Sequence, residues 1–223
     1  MATSSLPIPS KGLVSPESWA TRESLKSILT NIETNYGKYF KFASETSRIP
    51  KEVLMSFCAV ESGGNPKAGA SGHVTQGLMQ WNRTFAKQLL EDELSQGRMS
   101  PAEKSKLAEF GIKFDAKGKT RNITNADQLK PELNILIGSI ILGQLIDTSW
   151  GTENGVNRLD RVIAVYNAGA FGATGKKARL GGHKTPLLLA SDVNPITSAY
   201  IKKIMGKNGA LEVITTDLKG QIA

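Results

Sequence analysis

One apolar run constrains this chain more than any other feature. Residues 134–146 read NILIGSIILGQLI, 13 positions without a charge. A bilayer crossing takes about 20 such residues, so the run predicts a buried helix rather than a membrane span. A helix that is apolar on every side must be covered by other apolar faces. The rest of the chain supplies those faces at helical spacing.

A helix is expected to open at Ser15-Pro16-Glu17 and to carry Trp19, Leu25, Ile28, Leu29 and Ile32 on one side. A second, over 37–46, holds Tyr39, Phe40, Phe42 and Ala43. A third opens at Pro50, carries Val53, Leu54, Phe57, Cys58 and Val60, and stops at Gly63-Gly64. Residues 65–82 read as a Gly-rich loop, followed by a helix at about 83–96. Ser100-Pro101-Ala102-Glu103 is a capping-box start for another. Residues 111–128 look irregular, and 131–146 is the apolar helix. From Arg158, residues Leu159, Val162, Ile163 and Tyr166 keep helical spacing until Gly169, and a last helix spans about 195–205. Only 211–214 hints at a strand, so the expected class is mainly α.

Composition removes several kinds of chemistry. A single Cys excludes an internal disulfide framework, and two distant His make a Cys/His zinc site unexpected. Neither metal nor cofactor is therefore expected. Cys58 lies inside an apolar stripe and reads as a small buried hydrophobe rather than a reactive thiol. The net charge of +8 favours a polyanionic partner: nucleic acid, anionic lipid or the bacterial wall. The first thirty residues show no basic start followed by an apolar stretch, so no secretory signal is expected.

Three short segments carry candidate chemistry. Glu61 ends an apolar helix and is followed by Ser62-Gly63-Gly64-Asn65-Pro66. Partial desolvation and the negative pole of the helix both favour a protonated carboxyl there, which suits a general acid. An exposed Glu at a helix end is the simpler reading of those residues alone. Gly77-Leu78-Met79-Gln80 alone reads as core flanked by an amide. In Ala164-Val165-Tyr166-Asn167-Ala168-Gly169, Tyr166 is either a core tyrosine or a phenol that holds a carboxyl group.

In this order, ESGGNP at 61–66, GLMQ at 77–80 and VYNAG at 165–169 resemble the lytic transglycosylases, relatives of goose-type lysozyme. Pro131-Glu132-Leu133-Asn134-Ile135 resembles the opening of that family's central helix, and Thr197 with Tyr200-Ile201 its closing pair. Val165 and Ile196 depart from the family's usual Ala and Glu. The resemblance implies a lysozyme-like, goose-type helical domain over 36–205. It would follow an N-terminal tail and helix (1–35), carry a helical insertion (81–130) and precede a C-terminal tail (206–223). The insertion would extend the glycan groove, dock a partner, or be surface decoration.

The same resemblance makes Glu61 the catalytic acid and base. It would cleave the bond between N-acetylmuramic acid and N-acetylglucosamine without water, leaving 1,6-anhydromuramic ends. Family members lack a second catalytic carboxylate, and residues 62–90 contain no Asp or Glu. A serine would hold the assisting acetamido group, and counting back from Gln80 places it at Ser71. Met79, Gln80 and Asn167 would line sugar subsites, Tyr166 and Tyr200 would position the Glu61 carboxyl, and Ser62 would steady the turn.

Residues 170–207 hold Lys176, Lys177, Arg179, Lys184, Lys202, Lys203 and Lys207 against Asp192 alone, a balance of +6. This is either a rim that concentrates anionic peptidoglycan or a solvated loop. Nucleic acid is the weaker partner, because no aromatic ladder accompanies the charges. The expected partners are peptidoglycan strands and other virion proteins of a tail or baseplate, with no membrane insertion. The implied setting is a bacteriophage protein, virion-associated or made in the host cytoplasm, that breaches the wall or lyses the host. Two other functions stay open. One is a hydrolytic muramidase using Asp92, Asp115 or Asp127; the other is an inactive structural or assembly protein.

Overall fold

The computed structural model describes residues 19–47, 49–70, 72–147, 152–153, 156–157, 159–168 and 195–222. The chain divides into two compact units, one of residues 28–143 and one of 1–27 with 144–223. The described residues are mainly helical, as the apolar periodicity predicts.

In the 28–143 unit, most of α1 (Arg22–Ser47) is followed by α2 (Lys51–Ser62). Leu29, Ile32, Phe40 and Ala43 recur at spacings of three, eight and three and are fully buried on α1. Two helices were expected in this stretch, yet α1 runs unbroken through Gly37. One interior glycine costs a helix only about 1 kcal/mol, which a 26-residue helix with one buried face absorbs. The expected opening at Ser15-Pro16-Glu17 lies outside the described residues, and α1 begins at Arg22. Thr21 precedes that first turn, its Oγ1 accepting the Ser24 N–H at 3.2 Å.

A hairpin of β1 (Thr75–Gln76) and β2 (Trp81–Asn82) then leads into α3 (Arg83–Ser95). Helix α4 (Pro101–Glu109) starts with the predicted capping box: the Glu103 N–H donates to Ser100 Oγ while Glu103 accepts from the Ser100 N–H. The stretch expected to be irregular contains a bridge between Phe114 and Thr120 and the short α5 (Asn125–Gln128). Helix α6 (Pro131–Asp147) is buried at every position from 133 to 142. Each large aliphatic side chain buried there contributes about 1.5–3 kcal/mol. No helix among the described residues is long and apolar enough to cross a membrane.

Among its described residues, the other unit contains the first residues of α1, the end of α6, a hairpin of β3 (Thr152–Glu153) and β4 (Val156–Asn157), and three helices. Helix α7 (Leu159–Ala168) packs on α8 (Pro195–Met205), and α8 packs on α9 (Ala210–Thr216). Residues 211–214, which hinted at a strand, are therefore helical. The buried set Ala210, Leu211, Val213, Ile214 has helical spacing, which four residues alone cannot distinguish from a strand. Nor is 206–223 merely a tail. Arg22 at the start of α1 donates to Asp217 Oδ2 (2.9 Å) and Oδ1 (2.6 Å), to Thr216 Oγ1 (2.8 Å) and to Asn208 Oδ1 (3.0 Å), clasping both sides of α9.

Candidate active site

Glu61 occupies the last turn of α2 and is partly exposed. The helix stops at Gly63 in the left-handed region (φ 61°), whose N–H returns to the Ala59 carbonyl. Gly64 follows with φ 79°, and a Cβ there would lie 2.7 Å from Ile32 Cγ1. Backbone conformation and the close approach of α1 thus both require glycine at this position. Ser62 stitches the turn: its Oγ donates to the Cys58 carbonyl (3.1 Å) and accepts the Gly64 N–H (3.2 Å).

Cys58 lies one helical turn before Ser62 and is fully buried. Burial pushes its thiol up to about 12, with the nearby Glu61 charge adding to the rise and the Ser62 hydroxyl opposing it. A thiol held that high stays protonated at neutral pH, consistent with a packing role. On α1, burial likewise raises the Tyr36 phenol, with a smaller contribution from Cys58.

From Ser62 a chain of backbone hydrogen bonds runs to the GLMQ segment. Asn65 N–H donates to the Ser62 carbonyl (3.1 Å), Ala68 N–H to Asn65 (3.2 Å) and Gly77 N–H to Ala68 (2.9 Å). Residues 77–80 form the turn between β1 and β2. Gly77 has φ 83°, and a Cβ there would meet the Gln128 carbonyl oxygen at 2.3 Å and Asn134 Nδ2 at 2.4 Å. Gln80 adopts φ 47°, a conformation uncommon without glycine. Its amide secures it by donating to the carbonyls of Gly77 (2.7 Å) and Ala68 (3.0 Å).

The turn is clamped from α6 by Asn134, which is fully buried. Asn134 Oδ1 accepts the Met79 N–H (2.7 Å), and Nδ2 donates to the carbonyls of Gln76 (3.0 Å) and Gln128 (2.7 Å). Trp81 Nε1 donates to the Asn134 carbonyl (2.8 Å), and Gln128 Nε2 to the Trp81 carbonyl (2.6 Å). The sequence suggested Asn134 only as part of a helix opening. The signal for the clamp was present, however: an amide at the head of an apolar run must find partners when buried.

The remaining site expectations fare unequally. Met79 is fully buried, close to Gly138 of α6, and presents no side-chain surface for a sugar in this structure. Ser71 lies outside the described residues, as do Gly169 and residues 170–194 of the basic loop. Tyr166, Asn167 and Tyr200 belong to the other unit. There, Thr197 Oγ1 donates to Asn167 Oδ1 at 3.2 Å, joining α8 to α7. Tyr166 and Asn167 are partly exposed, and Tyr200 is buried.

Two of the three carboxylates considered for hydrolysis, Asp127 and Asp115, have structural work. Asp127 accepts from Arg121 (2.6 and 3.2 Å), Lys130 (3.1 Å) and the Thr124 N–H and Oγ1 (both 2.9 Å). Burial alone would raise its pKa, but these donors hold it well below the usual carboxylate range. Asp115 Oδ1 accepts the N–H groups of Lys117 and Lys119, each at 2.8 Å. Among the described residues no group of three His, Cys, Asp or Glu could hold a metal ion.

The helical architecture and the glycine-bounded turn after α2 are consistent with a lysozyme-like domain. Residues 38–109 match the model of the transglycosylase SLT domain, which supports the resemblance of this segment to the lytic transglycosylases. The matched segment holds Glu61, the GLMQ turn, α3 and α4. No curated protein matches the chain.

Proposed function

We propose that the protein is a peptidoglycan lytic transglycosylase in which Glu61 is both general acid and general base. The protonated carboxyl gives its proton to the glycosidic oxygen between N-acetylmuramic acid and N-acetylglucosamine, and the C1–O bond breaks. The carboxylate then takes the proton of the muramic C6 hydroxyl as that oxygen attacks C1. A 1,6-anhydro ring closes, and no water is consumed. One acid/base group completes the proton cycle, unlike the paired carboxylates of ordinary glycoside hydrolysis.

The observation that carries this reading is the placement of Glu61. It stands at the negative pole of α2, immediately before a left-handed glycine turn that hydrogen bonds tie to the GLMQ hairpin. That whole assembly lies within the SLT match, which supports peptidoglycan transglycosylase activity in general. The ion pairs of Asp127 and the turn contacts of Asp115 favour this mechanism over hydrolysis. We assign Ser71 to the acetamido group and Gln80, Tyr166, Asn167 and Tyr200 to substrate handling on the strength of the resemblance. Phage-borne wall penetration or host lysis is the setting proposed, and detection in purified virions tests it.

Mass spectrometry of digested sacculi provides the decisive measurement. Anhydromuramic ends are expected from the parent protein, with a fall of about 10²–10⁴-fold for Glu61→Gln. Ordinary reducing ends would indicate a muramidase, and product release unaffected by Glu61→Gln would remove Glu61 from the chemistry.

A further inference from the structure

We infer that Arg83 binds a carboxylate of the peptidoglycan stem peptide beside the GLMQ turn, an inference that rests on the proposed substrate. Arg83 is the first residue of α3 and follows Gln80 by three positions. Its side chain is partly exposed, yet Nη1 is shut away from solvent without a hydrogen-bond acceptor. An unsatisfied charged donor is costly to bury. No carboxylate is paired with Arg83 among the described residues. Arg22, Arg98 and Arg121, by contrast, grip Asp217, Glu93 and Asp127 respectively.

The helix sharpens the problem. Arg83 puts a cation at the positive pole of a 13-residue helix, where the macrodipole favours an anion. The Asn82 side chain already accepts the N–H groups of Thr84 and Phe85, so the first turn is capped while Arg83 Nη1 has no acceptor. The local sequence offers none, because 62–90 contains no Asp or Glu. A carboxylate from outside relieves all of this at once. It offers two acceptors to the partly exposed guanidinium, and it neutralises the cation at the helix start. Amidated or peptide-free glycan carries fewer such groups, so Arg83 would select strands with charged stems.

Binding is measured in a Glu61→Gln background by cosedimentation of the full chain with two preparations. One is native sacculi; the other is the same sacculi with carboxyl groups amidated by carbodiimide and ammonia. Arg83→Gln is expected to weaken binding to native sacculi about five- to tenfold and to leave binding to amidated sacculi unchanged. Arg83→Lys, which keeps a point charge, should recover part of the loss. Equal losses on both preparations would overturn the proposal in favour of a structural role. So would an equal loss from Lys117→Gln, which removes an exposed cation far along the chain from the turn. Should Arg83→Gln melt early, Arg83→Lys decides: binding that amidation does not weaken overturns the proposal. Product release that Glu61→Gln leaves intact would sink the catalytic reading separately, because sedimentation needs no turnover.

Discussion

Asn134 shows how much one side chain can hold. Its amide satisfies a backbone N–H and two backbone carbonyls of residues up to 58 positions away. Leucine at this site would keep the volume and strand those groups inside the protein. Asn134→Leu is expected to destabilise the protein by about 3–5 kcal/mol, since each buried orphan costs about 1–3 kcal/mol, and urea unfolding measures it. Activity should fall by more than the unfolded fraction explains, because the GLMQ turn loses its anchor. Retained stability would mean that water replaces the amide. At the same scale, Met79 and Glu61 mark the reach of motif reading. The spacing of the motifs located both residues, but burial distinguishes them: Met79 is closed in the core and Glu61 is partly exposed.

At the level of elements, caps were more legible than continuity. Ser100 and Glu103 announced α4 because a capping box is a local hydrogen-bond exchange. The length of α1 was not legible, because tertiary packing carries the helix across Gly37. Helix α3 is tied to the 114–120 hairpin by Glu91, which accepts from Lys87 (2.6 Å), Lys119 (2.9 Å) and the Thr120 N–H (3.1 Å). Burial raises the Glu91 pKa, but the three donors outweigh it and bring it down from 4.5 to about 2. The folded value lies below the unfolded one, so the unfolded chain binds more protons between them. This stabilisation is complete above about pH 4.5 and is lost as the pH falls towards 2. Glu91→Gln should flatten the corresponding part of the urea midpoint against pH. An unchanged slope would assign the acid sensitivity to other carboxylates.

Across the whole molecule, the SLT match covers 38–109, while packed structure continues to residue 222. The unit containing α7, α8 and α9 depends on its last residues: Leu211, Val213 and Ile214 are buried, and Asp217 holds Arg22. Ending the chain after Lys207 should lower the near-UV circular dichroism melting midpoint and expose 195–205 to limited proteolysis. An unaltered melt would restore the reading of 206–223 as a dispensable tail. The apolar helix behaves as predicted, buried without a break from 133 to 142. The sequence by itself determined the helical class, the core helix, the capping box of α4 and the order of Glu61 and GLMQ. These follow from dihedral preferences and apolar periodicity, which act over a few residues. Only the tertiary structure decided that Asn134 clamps the turn, that Met79 is core, that Asp127 is committed to Arg121 and Lys130, and that no carboxylate among the described residues pairs with Arg83. Burial and long-range partner choice depend on which distant segments pack together, and no local spacing encodes that.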